Sequence, residues 1–474
     1  MADFVRLPTR SLGLKFLLVV GLALLMAIPT IFVYGVMKDR LSRFETVRGD
    51  ISHYQGGQQS VLGPVLLVPY TKQVQTTGND NKVQITTVRG EAVVFAETGM
   101  VNARLTGKNL YRGIYSVPVF QGPIAFDAHF DLGQSAAALK DLDGAANYDW
   151  SNVRLVMGVS NTIGILQEIA LTLPGGAQRR LKPMAGDNTP SDSTSYAPVS
   201  GGSGYNLVAA PVGDLLKSGA SFDVKAALEL SGAERFSIAS FAKDTKASVT
   251  GKWIEGVKLN PSFEGGFLPT DRKVTPGGFT ATWSAPLARR GIPEVGADTS
   301  ILARTSQQDF ALRMVEQTNV YTGVDRALKY AMMFIGLVFL AYFMFEVVSG
   351  LRAHPAQYIM VGLAQAIFYL LLLAFAERIG FDTAFLIAAA ATVTMISLYV
   401  GVVFHQMRYT IAAFLVFIVV YALMYVLMQA EDYALIVGAV TSFAALAALM
   451  YLTRKVAWYG ATDAAETPAA RAPT

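Results

Sequence analysis

The tract from Leu328 to Leu452 constrains the fold more than any other part of this sequence. It begins AMMFIGLVFLAYFMFEVVSG, continues through YIMVGLAQAIFYLLLLAFA and FLIAAAATVTMISLYVGVVF, and ends in two further runs of the same kind. Charged residues occur in it almost only where one run gives way to the next. A hydrocarbon core about 30 Å thick needs roughly 20 apolar residues of helix to cross it. The tract divides into five stretches of that length: about Tyr330–Ser349, Tyr358–Ala376, Phe381–Phe404, Tyr409–Met428 and Tyr433–Leu452. This is a membrane bundle.

A sixth run lies near the N-terminus. Behind Arg6 and Arg10, the chain reads FLLVVGLALLMAIPTIFVYGV from Phe16 to Val36. A secretory signal also has a basic start and an apolar core. This run exceeds a typical signal core, and Met37, Lys38, Asp39 and Arg40 follow it where a small-x-small cleavage site would stand. It is expected to be an uncleaved span, bent where Pro29 removes a backbone bond. The predicted fold is thus a six-helix transmembrane bundle (1+5) plus a large β-rich domain. The expected divisions are 1–37, 38–325, 326–455 and a disordered Ala-, Pro- and Thr-rich tail at 456–474.

Between Lys38 and Asp325, short β-rich runs alternate with Gly, Pro and Asn, as in GPVLLVPYTKQVQ, KVQITTVRGEAVVFA and GIYSVPVFQGPIAFDAHFDL. Phe126, Ala128 and Phe130 fall on one face of such a strand. Many short strands separated by turn residues predict a sandwich-like, mostly antiparallel architecture. The stretch Ala185–Asn206 is rich in small and polar turn formers, and either links two lobes or forms a loop within one. Hydrophobic residues are 52% of the chain and charged residues 16%, against about 25% in soluble chains. Cysteine is absent, which excludes disulfides, thiolate nucleophiles and Cys-bound metals. A net charge of +4, gathered beside the apolar runs, gives no footprint for nucleic acid.

Lys and Arg in short loops set orientation. With a cytoplasmic N-terminus, the inside connections carry Arg352, Arg408, Arg454 and Lys455. The outside ones carry Glu377, Asp382, Glu431 and Asp432 against Arg378 alone. Both termini are then cytoplasmic and the β domain is outside. Tyr330, Tyr358, Tyr409, Tyr433, Tyr451, Trp458 and Tyr459 fall near span ends, where interface anchors belong.

Enzyme signatures are missing. The sequence has no phosphate-cradling G-x-x-x-x-G-K-[ST] loop, no H-E-x-x-H pair and no G-x-S-x-G elbow. His53, His129, His354 and His405 show no ligand spacing, so no metal or cofactor is expected. Glu346 is the acid well inside a span, which makes it a candidate for function. Lying about one turn from the span's end, it either pairs with Arg352, reaches the interface, or serves ion or substrate movement. Asp325 and Lys329 are spaced to pair on a helix beside Arg326, with Asp325 placed to favour a helix start. His354 precedes Pro355 at the start of the third span, where proline suits the first turn. Glu377 closes that span, and Glu431–Asp432–Tyr433 opens the last one.

Several stretches together carry a family resemblance: DRALKYAMMFIGLVFLAYFMFE, LRAHPAQYIMVGLA, FYLLLLAFAERIGF, GPVLLVPY, RGIYSVPVF, NPSFEGGFLPTDR and LTRKVAWY. The chain resembles the CreD family of bacterial inner-membrane proteins from the first span to Tyr459. The resemblance implies an inner-membrane location with a periplasmic domain, a link to cell-envelope integrity, and expression often tied to a two-component signalling system. It brings no established reaction, transported substrate or catalytic residue. The expectation is a non-enzymatic envelope protein whose β domain senses or binds an envelope lipid, glycan or protein while the bundle anchors it in the lipid bilayer. The alternative is a transporter or lipid-handling protein that uses the bundle.

Overall fold

The computed structural model describes residues 12–77, 83–184, 204–215, 221–254, 259–316, 320–429 and 434–454. The stretch at 185–203, Glu431, Asp432, Tyr433 and the tail from Lys455 lie outside them. Two compact units emerge. Met1–Phe44 with Thr318–Thr474 forms a helix body, and Glu45–Gln317 forms a sheet body.

In the helix body, the first apolar run forms helices Leu12–Leu25 and Ala27–Tyr54, interrupted at Met26. The break sits where proline puts it: Pro29 has no N–H for the carbonyl four residues back and crowds that turn. The Thr30 hydroxyl donates to the Met26 carbonyl at 2.9 Å and helps satisfy the loosened turn. The second helix runs on to Tyr54, so the change of character expected at Lys38 comes about four turns later. MKDRLSRFETVRGDISHY is rich in good helix formers and lacks proline, which lets the helix continue into charged sequence.

Later helices are Val320–Lys329, Ala331–Ser349, Pro355–Ile379, Phe381–Val403, Met407–Gln429 and Ala434–Thr453. Counting Gly13–Tyr54 as one, five are long and apolar enough to cross a membrane. A further apolar helix, Ala434–Thr453, runs for 20 residues, with Ile436–Ala447 as its continuously described apolar stretch. Inside the body, Phe368 packs edge-on against Tyr421 and Phe385, with ring centroids 5.0 and 5.7 Å away. Outward positions are also apolar, with Leu386, Val402 and Phe443 at 70, 72 and 75% exposure. A surface of that kind is stable against lipid, where the helices' own hydrogen bonds satisfy the backbone.

The sheet body holds two sheets over one core. Along its main path the larger runs Leu259–Glu264, Asp309–Glu316, Arg235–Ala239, Gln59–Thr77, Arg154–Val159, Asn206–Pro211, Lys182–Pro183. The smaller runs Asp271–Thr275, Gly278–Ala285, Ala242–Trp253, Ala96–Arg112, Tyr115–Asp131, Ser221–Ala233, Ala170–Thr172, Gln178–Arg180. Both interleave strands from before and after the 185–206 stretch, so that stretch does not divide sequential lobes. Most pairings are antiparallel. Gln59 to Leu62 run parallel to Phe236 to Ala239, and Ala96–Arg112 runs parallel to Ala242–Trp253.

The chain turns from one sheet into the other at Phe95, at Glu234 and at Ser240–Phe241. Phe241 is fully buried between the sheets, where a Cβ on Gly63 of one sheet or Gly99 of the other would strike its ring. Those two glycines are spacers that let an aromatic ring fill the sandwich. Glu234 has φ +64°, a left-handed conformation unusual for a non-glycine residue. Its buried carboxylate receives both arms of Arg48, at 2.7 and 2.5 Å, which fixes the corner. Arg290 braces another corner: its guanidinium lies 3.8 Å over the Phe95 ring and donates to the Ala242 carbonyl at 3.3 Å. It is fully buried, its Nε and one terminal nitrogen have no hydrogen-bond partner among the described residues, and burial pulls its pKa down to about 9.

Candidate functional site

Glu346 nucleates a polar cluster inside the helix body. Its helix ends at Gly350, whose left-handed backbone (φ +69°) caps the last turn by donating to the Glu346 carbonyl. The chain then folds back, and the Ala353 N–H donates to Glu346 Oε1 at 3.1 Å. His354 caps the next helix: its Nδ1 accepts from Ala356, and Gln357 returns the bond to the His354 N–H, with Pro355 in the first turn. One turn on, the Tyr358 hydroxyl donates to Glu346 Oε2 at 2.7 Å. Lys15 completes the cluster, its ammonium bonded to Glu346 Oε1 and to the Ala353 carbonyl.

The partner of Glu346 is therefore Lys15, and not Arg352, which is exposed. Arg352 lies in the connection beyond the C-cap, whereas Lys15 comes from a helix packed against Ala331–Ser349. Phe16, next to it, meets Phe343 at 5.5 Å. Tyr358 is also no interface anchor. It is fully buried, with its ring 4.8 Å from that of Tyr342. An isolated carboxylate in an apolar interior costs several kcal/mol, and this one is charge-paired with donors on both oxygens. Chemically the arrangement is a clamp that holds the first span to the later bundle. It leaves the Tyr342 hydroxyl buried with no hydrogen-bond partner among the described residues, as are the Gln365 side-chain oxygen and the Ser397 hydroxyl.

The other expected residues are dispersed. Asp325 pairs with Lys329 at 2.7 Å, but mid-helix rather than at a helix start, since Val320–Lys329 begins five residues earlier. Arg326 donates to the Met428 carbonyl at 3.2 Å. Glu377 accepts from the Tyr321 hydroxyl at 3.0 Å and stands 3.8 Å from Arg40. The structure brings none of these to Glu346. Lys15 and Tyr358 are the members that sequence reading passed over. A signal for Lys15 did exist: a lone cation at the edge of the first apolar run, opposite in sign and matched in depth to Glu346.

A second polar site lies on the outer face of the smaller sheet. Strand register sets side by side Asp244, Thr98, His129 and Asp223, and one step along, Lys246, Met100, Asp127 and Lys225. The two rows line a concavity of about 450 Å³. His129 Nδ1 lies 2.8 Å from Asp223, and Lys225 lies 3.8 Å from Asp127. The reason is alternation: on each strand these are the outward positions between buried neighbours such as Val101, Ala128 and Val224. Among the described residues, no three His, Asp or Glu side chains are grouped to hold a metal ion.

The chain matches the family profile described as "Inner membrane protein CreD" over residues 11–459. A curated relative, "Inner membrane protein CreD" of Escherichia coli (strain K12), is 29% identical over 446 residues, covering 93% of this chain and 92% of the relative. A crystal structure of a candidate protease from Parabacteroides distasonis ATCC 8503 aligns at 9% identity over 69% of this chain and 58% of that one. Its TM-score is 0.22, a likeness that carries no argument. A match across nearly the whole sequence, with five long apolar helices and a large sheet body, places this chain in the CreD family of inner membrane proteins.

Proposed function

We propose that this protein spans the inner membrane six times with both termini in the cytoplasm. Its sheet body stands in the periplasm and binds an envelope component, supporting envelope integrity without catalysing a reaction. The loop charges support the orientation. Arg352, Arg408 and Arg454 fall on one side, and Glu377 and Asp382 on the other. The observation that carries the binding reading is the two-row concavity on the smaller sheet, a cleft of ligand size on a body with its own core. Its mixture of carboxylate acceptors and ammonium donors suits a hydroxylated glycan and disfavours a polyanion.

The test uses the full chain in nanodiscs, incubated with peptidoglycan fragments or lipopolysaccharide. The expected result is retention of the peptidoglycan fragments in preference to the polyanionic lipopolysaccharide, lost in an Asp127→Ala/Asp223→Ala variant whose melting temperature is unchanged. No retention of either, or equal retention by the variant, overturns the reading. A reporter fused after Thr474 tests orientation independently: activity only outside the cytoplasm overturns it.

A transport or lipid-handling role is the second reading. The buried Tyr342 and Ser397 hydroxyls and the Gln365 side-chain carbonyl favour it, because polar groups placed inside a membrane bundle are costly and are candidates for a substrate or ion path. Ion flux through proteoliposomes that disappears in Glu346→Gln would support it.

A further inference from the structure

We propose that the groove between helices Phe381–Val403 and Met407–Gln429 binds one phospholipid bearing a primary-amine headgroup. The proposal rests on these helices lying in a membrane and is independent of what the sheet body binds. The groove encloses about 690 Å³. Small residues make it: Ala389 and Ala390 on one helix and Ala422 on the other leave room where larger side chains would close the seam. Exposed apolar side chains form its walls, Leu386 at 70%, Phe414 at 40% and Ile418 at 43%.

One end carries the charged side chain of the lining. There Asp382 Oδ1 accepts from the Tyr425 hydroxyl at 3.1 Å and from Gln429 Nε2 at 2.9 Å, and Gln429 also reaches Tyr425 at 3.1 Å. Both donors are neutral, so they hold the carboxylate in place without cancelling its charge. No described cation pairs with Asp382, which is exposed at the groove's mouth. The lining runs from Asp382 to Thr394, about 18 Å at the helical rise, somewhat more than half of a hydrocarbon core. That is the depth of one leaflet's acyl chain, with a fixed anion at the level of the headgroup. Charge complementarity selects a cationic headgroup over an anionic one, and a carboxylate acceptor favours an amine that still carries N–H donors over a quaternary ammonium.

The experiment is native mass spectrometry of the full chain in detergent, titrated in turn with phosphatidylethanolamine, phosphatidylglycerol and phosphatidylcholine. The expected result is a preference of about three- to fivefold for the primary amine over the anionic lipid, the scale of one exposed charge contact. Asp382→Asn abolishes that preference while still taking up phosphatidylcholine. Asp382→Lys inverts it toward phosphatidylglycerol, which a merely misfolded variant would not do. Ala390→Phe, which fills the groove, lowers uptake of all three. Equal binding of the three lipids by the native chain, a preference that survives Asp382→Asn, or dimers in place of lipid adducts would each overturn the proposal.

Discussion

The helix body and the sheet body solve one problem against different surroundings. Each buries an acid and neutralises it with a base from a distant segment: Glu346 with Lys15 in the first, Glu234 with Arg48 and Asp309 with Arg235 in the second. Inside, the two obey the same rule. Outside they diverge. The sheet body turns Asp127, Lys225 and Lys246 outward, while the helix body turns out Leu386, Val402 and Phe443. The interior reports how polar groups are satisfied, and only the exterior reports the solvent.

The comparison breaks most sharply at the clamp. Lys15→Ala leaves a carboxylate buried and unpaired, and should cost the helix body about 3–5 kcal/mol, read as a lowered melting temperature in detergent. A Lys15→Met/Glu346→Met double variant should recover most of that. If it is as damaged as the single variant, the charges are not the cause. Arg290 gives the opposite sign. Its charge is buried with no acid paired to it among the described residues, so Arg290→Met should stabilise the sheet body by about 1–3 kcal/mol at neutral pH. Denaturant unfolding followed by tryptophan fluorescence would show it, since Trp150, Trp253 and Trp283 all lie in that body. The pH dependence follows from a native pKa of about 9 against the usual 12.5. Between those values the unfolded chain binds more protons, so the stability of the native protein rises with pH and the advantage of the Arg290→Met variant shrinks. Below pH 9 that advantage should be flat. Smallest is Tyr358→Phe, which removes one of the Glu346 donors for about 1–2 kcal/mol. A loss as large as that of Lys15→Ala would make the hydroxyl, and not the ammonium, the main partner.

The spans were legible because crossing a membrane is a local property of a run. Ala331–Ser349 and Phe381–Val403 start and stop within a residue of where the apolar letters do. The sheet body was legible as strands but not as a topology. Nothing in GPVLLVPY says that Gln59 to Leu62 will lie parallel to Phe236 to Ala239, or that the same sheet will take Asn206–Pro211 from beyond the turn-rich stretch. The clamp was half legible. An acid in a span announces a partner, but its identity depends on which helix packs alongside, and Lys15 is most of the chain away. Tyr358 was misread for a related reason: a tyrosine at a span end looks the same in sequence whether it faces headgroups or a carboxylate.

The parallel pairing of Gln59 to Leu62 with Phe236 to Ala239 carries a kinetic consequence. The strand Gln59–Thr77 is central to its sheet, yet its neighbour on one side, Arg235–Ala239, is made only after about 160 further residues. That neighbour's other partner, Asp309–Glu316, comes later still. A sheet closed this way cannot assemble strand by strand as the chain appears. Until the last strand arrives, its edges stay open to pairing with other chains, and the rate of closure is set by contacts far apart in sequence. Folding of this body is therefore a late, slow and all-or-none event. Truncation anywhere before Glu316 should leave an aggregating species rather than a smaller sandwich.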